Sequence, residues 1–128
     1  MFSLQKEFLH LSGNMLSGKI PTTITSFDNI TFLDLSDNSI SGNIPDQIYS
    51  LVTLEFLLLS SNGISGTISS RIGELTNMYE LYIDQTYITG TIPVEINSIK
   101  ELSKIIAIVI VFCHDSQQVS SVSFRFSF

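Results

Sequence analysis

Phe32-Leu33-Asp34-Leu35-Ser36-Asp37-Asn38-Ser39-Ile40-Ser41-Gly42-Asn43-Ile44-Pro45 is the stretch that decides the fold. Leu33-Asp34-Leu35 alternates apolar and polar side chains, the period-two signature of a strand with one buried face. Beyond it an Asn, a Gly and an Ile-Pro pair follow at fixed intervals. Sliding the chain against itself by 24 residues reproduces the whole pattern. Asn14, Asn38 and Asn62 share one column, with Thr86 in the fourth place, and Gly18, Gly42, Gly66 and Gly90 form another without exception. Leu9, Leu33, Leu57 and Leu81 hold a third, and Ile20, Ile44, Ile68 and Ile92 a fourth. A fixed period of this length marks a chain built from stacked copies of one unit.

The residue types explain the unit. Each copy contributes one short parallel strand, because only one face of the Leu-x-Leu segment is apolar. The Asn column suits an inward-turning amide, which donates and accepts at once and so satisfies backbone groups that would be costly to bury unpaired. Thr86 can do only part of that. The Gly column suits a bend that a Cβ would penalise, and Pro21, Pro45 and Pro93 fix φ in an extended stretch after a buried Ile. Ser69 stands where the third proline is due, which predicts a slightly looser coil there. One coil cannot bury enough apolar surface to stand alone, so stability must come from stacking.

These spacings match L-x-x-L-x-x-L-x-L-x-x-N-x-L-x-G-x-I-P. The chain resembles plant-type extracellular leucine-rich repeat proteins: receptor-like kinases, receptor-like proteins and polygalacturonase-inhibiting proteins. The resemblance covers residues 8–103 as four 24-residue repeats; residues 1–7 are an incomplete lead-in, and 104–128 a partial fifth repeat with an off-pattern tail. It implies an α/β-type solenoid, a curved right-handed superhelix with a parallel β-sheet on the concave face and mostly irregular or 3₁₀ structure on the convex side. It also implies recognition of a protein or peptide ligand, or of another leucine-rich repeat protein, in signalling or defence at the cell surface.

In that fold the residues beside and between the two strand leucines face the concave side. They are Phe8, His10 and Ser12 in the first coil; Phe32, Asp34 and Ser36 in the second; Phe56, Leu58 and Ser60 in the third; and Glu80, Tyr82 and Asp84 in the fourth. The Phe8, Phe32 and Phe56 column reads either as an exposed binding stripe or as a stacked ladder that only stabilises the sheet. Asp34, Glu80 and Asp84 predict an acidic tint that would favour a basic peptide in a salt-dependent way; ordinary solvated surface is the alternative. Asn29-Ile30-Thr31 is the one glycosylation sequon, with Asn29 in the loop before a strand.

Other functions find little footing. A net charge of −6 without a basic cluster disfavours nucleic acid and anionic membrane surfaces. A single cysteine, Cys113, permits no internal disulfide. Cys113-His114-Asp115 has the residue types of a thiol protease, but adjacent residues cannot be brought into sequential contact as a catalytic set is. His10 alone is no metal site, and no cofactor-binding motif is present, so no catalytic residue, metal or cofactor is expected.

The ends depart from the pattern. Ser3 and Lys6 occupy columns that are apolar elsewhere, so the first coil should be frayed. Ile110 stands where a fifth Asn is due, and Val122 to Phe128 alternates like a strand that could fold back as a cap. The N-terminus lacks signal-peptide features, and the nine-residue apolar run Ile105 to Cys113 is too short to insert in a membrane. Two rival readings follow: a truncated fragment without independent function, or a scaffold that stacks on another repeat protein.

Overall fold

The computed structural model describes residues 5–108 and 121–125. Its strands are β1 (Glu7–His10), β2 (Ser17–Gly18), β3 (Ile30–Asp34), β4 (Ser39–Asn43), β5 (Phe56–Leu58), β6 (Gly63–Gly66), β7 (Glu80–Tyr82), β8 (Tyr87–Ile88), β9 (Lys104–Ile108) and β10 (Ser121–Arg125). β1 to β9 alternate between two sheets and β10 joins the first, giving the orders β1-β3-β5-β7-β9-β10 and β2-β4-β6-β8. In the larger sheet Leu9 faces Leu33, Leu33 faces Leu57, Leu57 faces Leu81 and Leu81 faces Ile105, all in parallel. The 24-residue columns of the sequence are therefore the rungs of the sheet.

The sequence predicts one sheet opposite an irregular side; the structure adds the second. Ile40 and Ile64 are buried while Ser39, Ser41 and Asn43 are exposed, so the stretch after each Asn has a period-two alternation of its own. That pattern is short, and the bend at the glycine hides it. Gly42, Gly66 and Gly90 adopt φ of 80°, 88° and 87°, in the left-handed region that side chains other than glycine avoid.

After the second sheet each coil turns through a five-residue 3₁₀ helix: Thr22–Ser26, Asp46–Ser50, Ser70–Glu74 and Val94–Ser98. Ile24, Ile48, Ile72 and Ile96 point inward from them and close the core. The preceding residue, Pro21, Pro45 or Pro93, is extended at φ between −72° and −60°.

Ser69 keeps this conformation, at φ −71° and ψ 148°, and does not loosen its coil. Its Oγ accepts the Arg71 N–H, and its own N–H donates at 3.2 Å to the Tyr49 hydroxyl, a bond that proline could not make. Tyr49 is 1% exposed, and burial pushes its phenol up from the usual tyrosine range. Ser69→Pro should cost about 1–2 kcal/mol by leaving that hydroxyl without its partner, and Tyr49→Phe a similar amount by orphaning the N–H. The double variant should recover most of the loss, read as a non-additive cycle in urea unfolding.

The asparagine column behaves as its chemistry requires. Asn62 Nδ2 donates to the carbonyls of Leu35, Leu59 and Ser60 at 2.8, 3.1 and 3.2 Å, and its Oδ1 accepts the Ile40 N–H at 3.0 Å. Asn38 repeats the set with Leu11, Leu35, Ser36 and Leu16. Each amide thus ties its coil to the one before. Thr86 reaches only Ile83 and Ile88 of its own coil.

At the front of the solenoid Leu9 and Leu11 are only partly buried. At the other end β10 runs antiparallel to β9, pairing Ser121 with Ile108 and Arg125 with Lys104. Of the stretch Val122 to Phe128 expected to form a strand, Val122 to Arg125 lie in β10, which begins one residue earlier; Phe126–Phe128 and the Cys113-His114-Asp115 triplet lie outside the described residues.

Candidate binding face

The outward face of the six-stranded sheet carries three columns of side chains. Phe8, Phe32 and Phe56 occupy the first, with Glu80 beyond them; the pairs Phe8–Phe32, Phe32–Phe56 and Phe56–Glu80 are direct cross-strand partners. Successive Phe rings lie 6.3 and 5.7 Å apart, centroid to centroid, and are tilted by about 42–44°. Tyr79 continues the line at 5.7 Å from Phe56 with an edge-on contact. The result is one stripe of four rings across four coils. Phe8 is 68% and Tyr79 44% exposed, while Phe32 and Phe56 are half-buried between them. Stacking and exposure therefore coexist in this column.

Tyr79 is absent from the sequence-predicted set because it sits one position before the Phe column, where the other coils carry Glu7, Thr31 and Glu55. Its aromatic type was the signal; column counting passes over it.

The second column holds His10, Asp34, Leu58 and Tyr82. Asp34 departs from its predicted role: it is 5% exposed, and its two oxygens are engaged by His10 Nδ1 at 2.9 Å and by the Ser36 N–H at 3.0 Å. A carboxylate tied to its own backbone contributes no accessible negative charge. His10 also approaches the Phe32 ring at 6.1 Å. Leu58 is half-buried, and Tyr82 lies under the Lys104 ammonium, which is 4.9 Å from the ring centroid and 2.8 Å from the hydroxyl.

In the third column Ser12 and Ser60 are half-buried and Ser36 is buried, while Asp84 accepts a hydrogen bond from Ser60 Oγ. Glu80, half-buried, and Asp84 thus remain as the acidic contribution to the face. At the opposite rim Lys6 pairs with Glu55 at 2.6 Å, so neither acts as an isolated charge. Asn29 is half-buried just before β3, beside an open groove of about 240 Å³. The face as a whole is an aromatic stripe with Glu80 and Asp84 at one end, suited to apolar or planar groups.

A leucine-rich repeat model matches residues 7–27, 29–51 and 53–75. No curated protein matches the chain in sequence. Among solved structures, a chain of the BIR3–SERK2 complex from Arabidopsis thaliana is 42% identical over 68% of this chain and 47% of its own length, with a TM-score of 0.65. The BIR2 ectodomain from the same plant is 33% identical over 74% of this chain and 50% of its own, with a TM-score of 0.72. The Arabidopsis receptor kinase HAESA, solved with the peptide hormone IDA and the co-receptor SERK1, is 37% identical over 73% of this chain and 16% of its own, with a TM-score of 0.70. The chain spans half or less of each of these proteins. No helix among the described residues is long and apolar enough to cross a membrane.

Proposed function

We propose, from the premise that this chain belongs to the leucine-rich repeat family, that it is a recognition module whose six-stranded sheet holds an extended peptide segment, either free or part of a partner protein. One observation carries the reading. The stripe Phe8, Phe32, Phe56, Tyr79 crosses the strands with ring centroids 6.3, 5.7 and 5.7 Å apart, and its ends are exposed. An extended peptide presents alternate side chains on one face at intervals of about 6.7 Å. A peptide laid across the strands would therefore bring every second side chain to a ring. His10, Glu80 and Asp84 line its edges and would select polar residues in the alternate positions.

The HAESA structure contains a peptide hormone and a co-receptor, which supports a peptide or protein ligand for this chain. A partner segment could equally come from another leucine-rich repeat protein, as could a place at the cell surface or outside the cell. Asn29 would carry a glycan in such a setting, at the rim and off the stripe.

Selection of peptides from a random display library against the full chain tests the proposal. Selected sequences should carry apolar or aromatic residues at alternate positions. Phe8→Ser and Tyr79→Ser should each weaken binding about tenfold; the urea midpoint should change little for Phe8→Ser, whose ring is 68% exposed, and somewhat more for Tyr79→Ser, at 44%. Peptides that bind both variants as tightly as the original chain would refute it.

A further inference from the structure

A second concavity lies away from the aromatic stripe, where the chain turns from the larger sheet into the smaller one. It is an open groove of about 620 Å³ crossing three coils, and its lining contains no charged residue. Asn38 and Asn62 contribute to its floor, but their amides are committed to the coil-to-coil ladder. The groups that face a ligand are those of Ser39, Ser61, Gln85 and Tyr87.

Tyr87 is 68% exposed and stacks on no other ring among the described residues. Its backbone pairs with Ser65 in β6, which sets where the ring projects at the groove. Ser61 Oγ donates to Gln85 Oε1 at 3.3 Å, which leaves the Gln85 NH₂ to act as a donor. Asp37, Ser61 and Gln85, one per coil, hold φ of 51°, 54° and 52°. This left-handed turn recurs at the same place in each coil and sets Ser61 and Gln85 side by side in the groove, while Asp37 stays outside its lining.

We infer that this groove is a binding site for a neutral oligosaccharide, with Tyr87 as the stacking platform and Ser39, Ser61 and Gln85 as the hydroxyl-reading groups. A sugar ring has one face of C–H groups that packs on an aromatic ring and a rim of hydroxyls that both donate and accept. Tyr87 supplies the first complement, and amide and hydroxyl side chains the second. A lining without charge offers nothing to phosphate, carboxylate or guanidinium groups. The spacing also fits: coils advance by about 4.8 Å per strand, close to the width of one sugar ring, so a linear glycan with one ring on Tyr87 would pass over Gly63 and Ser39 in the two coils before it. This site is separate from the peptide face and stands or falls independently of it.

The test is titration of the full chain with a short, soluble, uncharged oligomer of β-linked glucose, and in parallel of β-linked N-acetylglucosamine, followed by amide NMR. The expected result is saturable shifts at Ser61, Gln85 and Tyr87 for one of the two, insensitive to added salt. Tyr87→Ala should lower that affinity at least about tenfold, and Tyr87→Phe should retain most of it, since the ring and not its hydroxyl does the stacking. Tyr87→Ala is expected to fold, and its amide spectrum away from the groove checks this. No shifts with either sugar, shifts that survive Tyr87→Ala, or preferential shifts with an acidic galacturonate oligomer or an uncharged Ser/Gly peptide would each overturn the assignment.

Discussion

Replacing Asn62 with alanine will lower the unfolding free energy by about 3–5 kcal/mol, the largest loss expected from any single polar side chain among the described residues. Four backbone groups depend on that amide: the carbonyls of Leu35, Leu59 and Ser60 and the N–H of Ile40. Asn62 is itself buried, so water cannot take its place without opening the stack. An unsatisfied buried group costs about 1–3 kcal/mol, and the carbonyls lose less than the N–H because they have a second lone pair. Asn14 provides the internal control. It belongs to the same column, but it is exposed and its amide reaches only Leu11 and Ser12 in its own coil, so Asn14→Ala should cost under about 1 kcal/mol. Urea unfolding of the two variants, side by side, reads the difference. Equal losses would mean that the ladder contributes nothing beyond local turn formation.

Gly66→Val should be nearly as damaging, at about 3 kcal/mol. Gly66 holds φ of 88°, where a β-branched side chain is strained whatever the space around it. An added Cβ would also lie 2.7 Å from Asn43 Oδ1 and 2.9 Å from Asn43 Cγ, so that exposed side chain must turn away as well. Gly18 separates the two effects: it has φ of 86° with nothing within 4 Å of the same position. Gly18→Val therefore pays the dihedral strain alone, and its unfolding midpoint should fall less than that of Gly66→Val. If the two variants match, crowding by Asn43 is irrelevant and the dihedral explains everything.

The fold was legible to the extent that it obeys a period. Leu33 and Leu57, Asn38 and Asn62, Gly42 and Gly66 each recur at 24 residues, and each recurrence became a rung, a ladder contact or a left-handed bend. The second sheet was harder to see, because β2 and β8 are two residues long and β4 and β6 only five and four. Alternation over so few residues does not stand out from a loop.

On the candidate site, the Phe column was visible because three identical residues share one register. Tyr79 was not, since it reaches the stripe diagonally from another column. The state of Asp34 was also beyond the sequence: its burial depends on His10 in the coil before it and on the Ser36 N–H two residues on, which the residue type alone does not announce. Ser69 shows the same limit in reverse. A missing proline looks like a defect until Tyr49 is seen to need the N–H that proline would have removed.

The stripe also has a mechanical meaning. Each of its rings belongs to a different coil, and a solenoid is a one-dimensional array in which every coil contacts only its neighbours. A ligand that spans the rings acts as a splint along the axis, opposing the separation of every interface it crosses. Occupancy and axial stiffness are then linked quantities, and by reciprocity a solenoid held stiff from elsewhere captures its ligand more tightly.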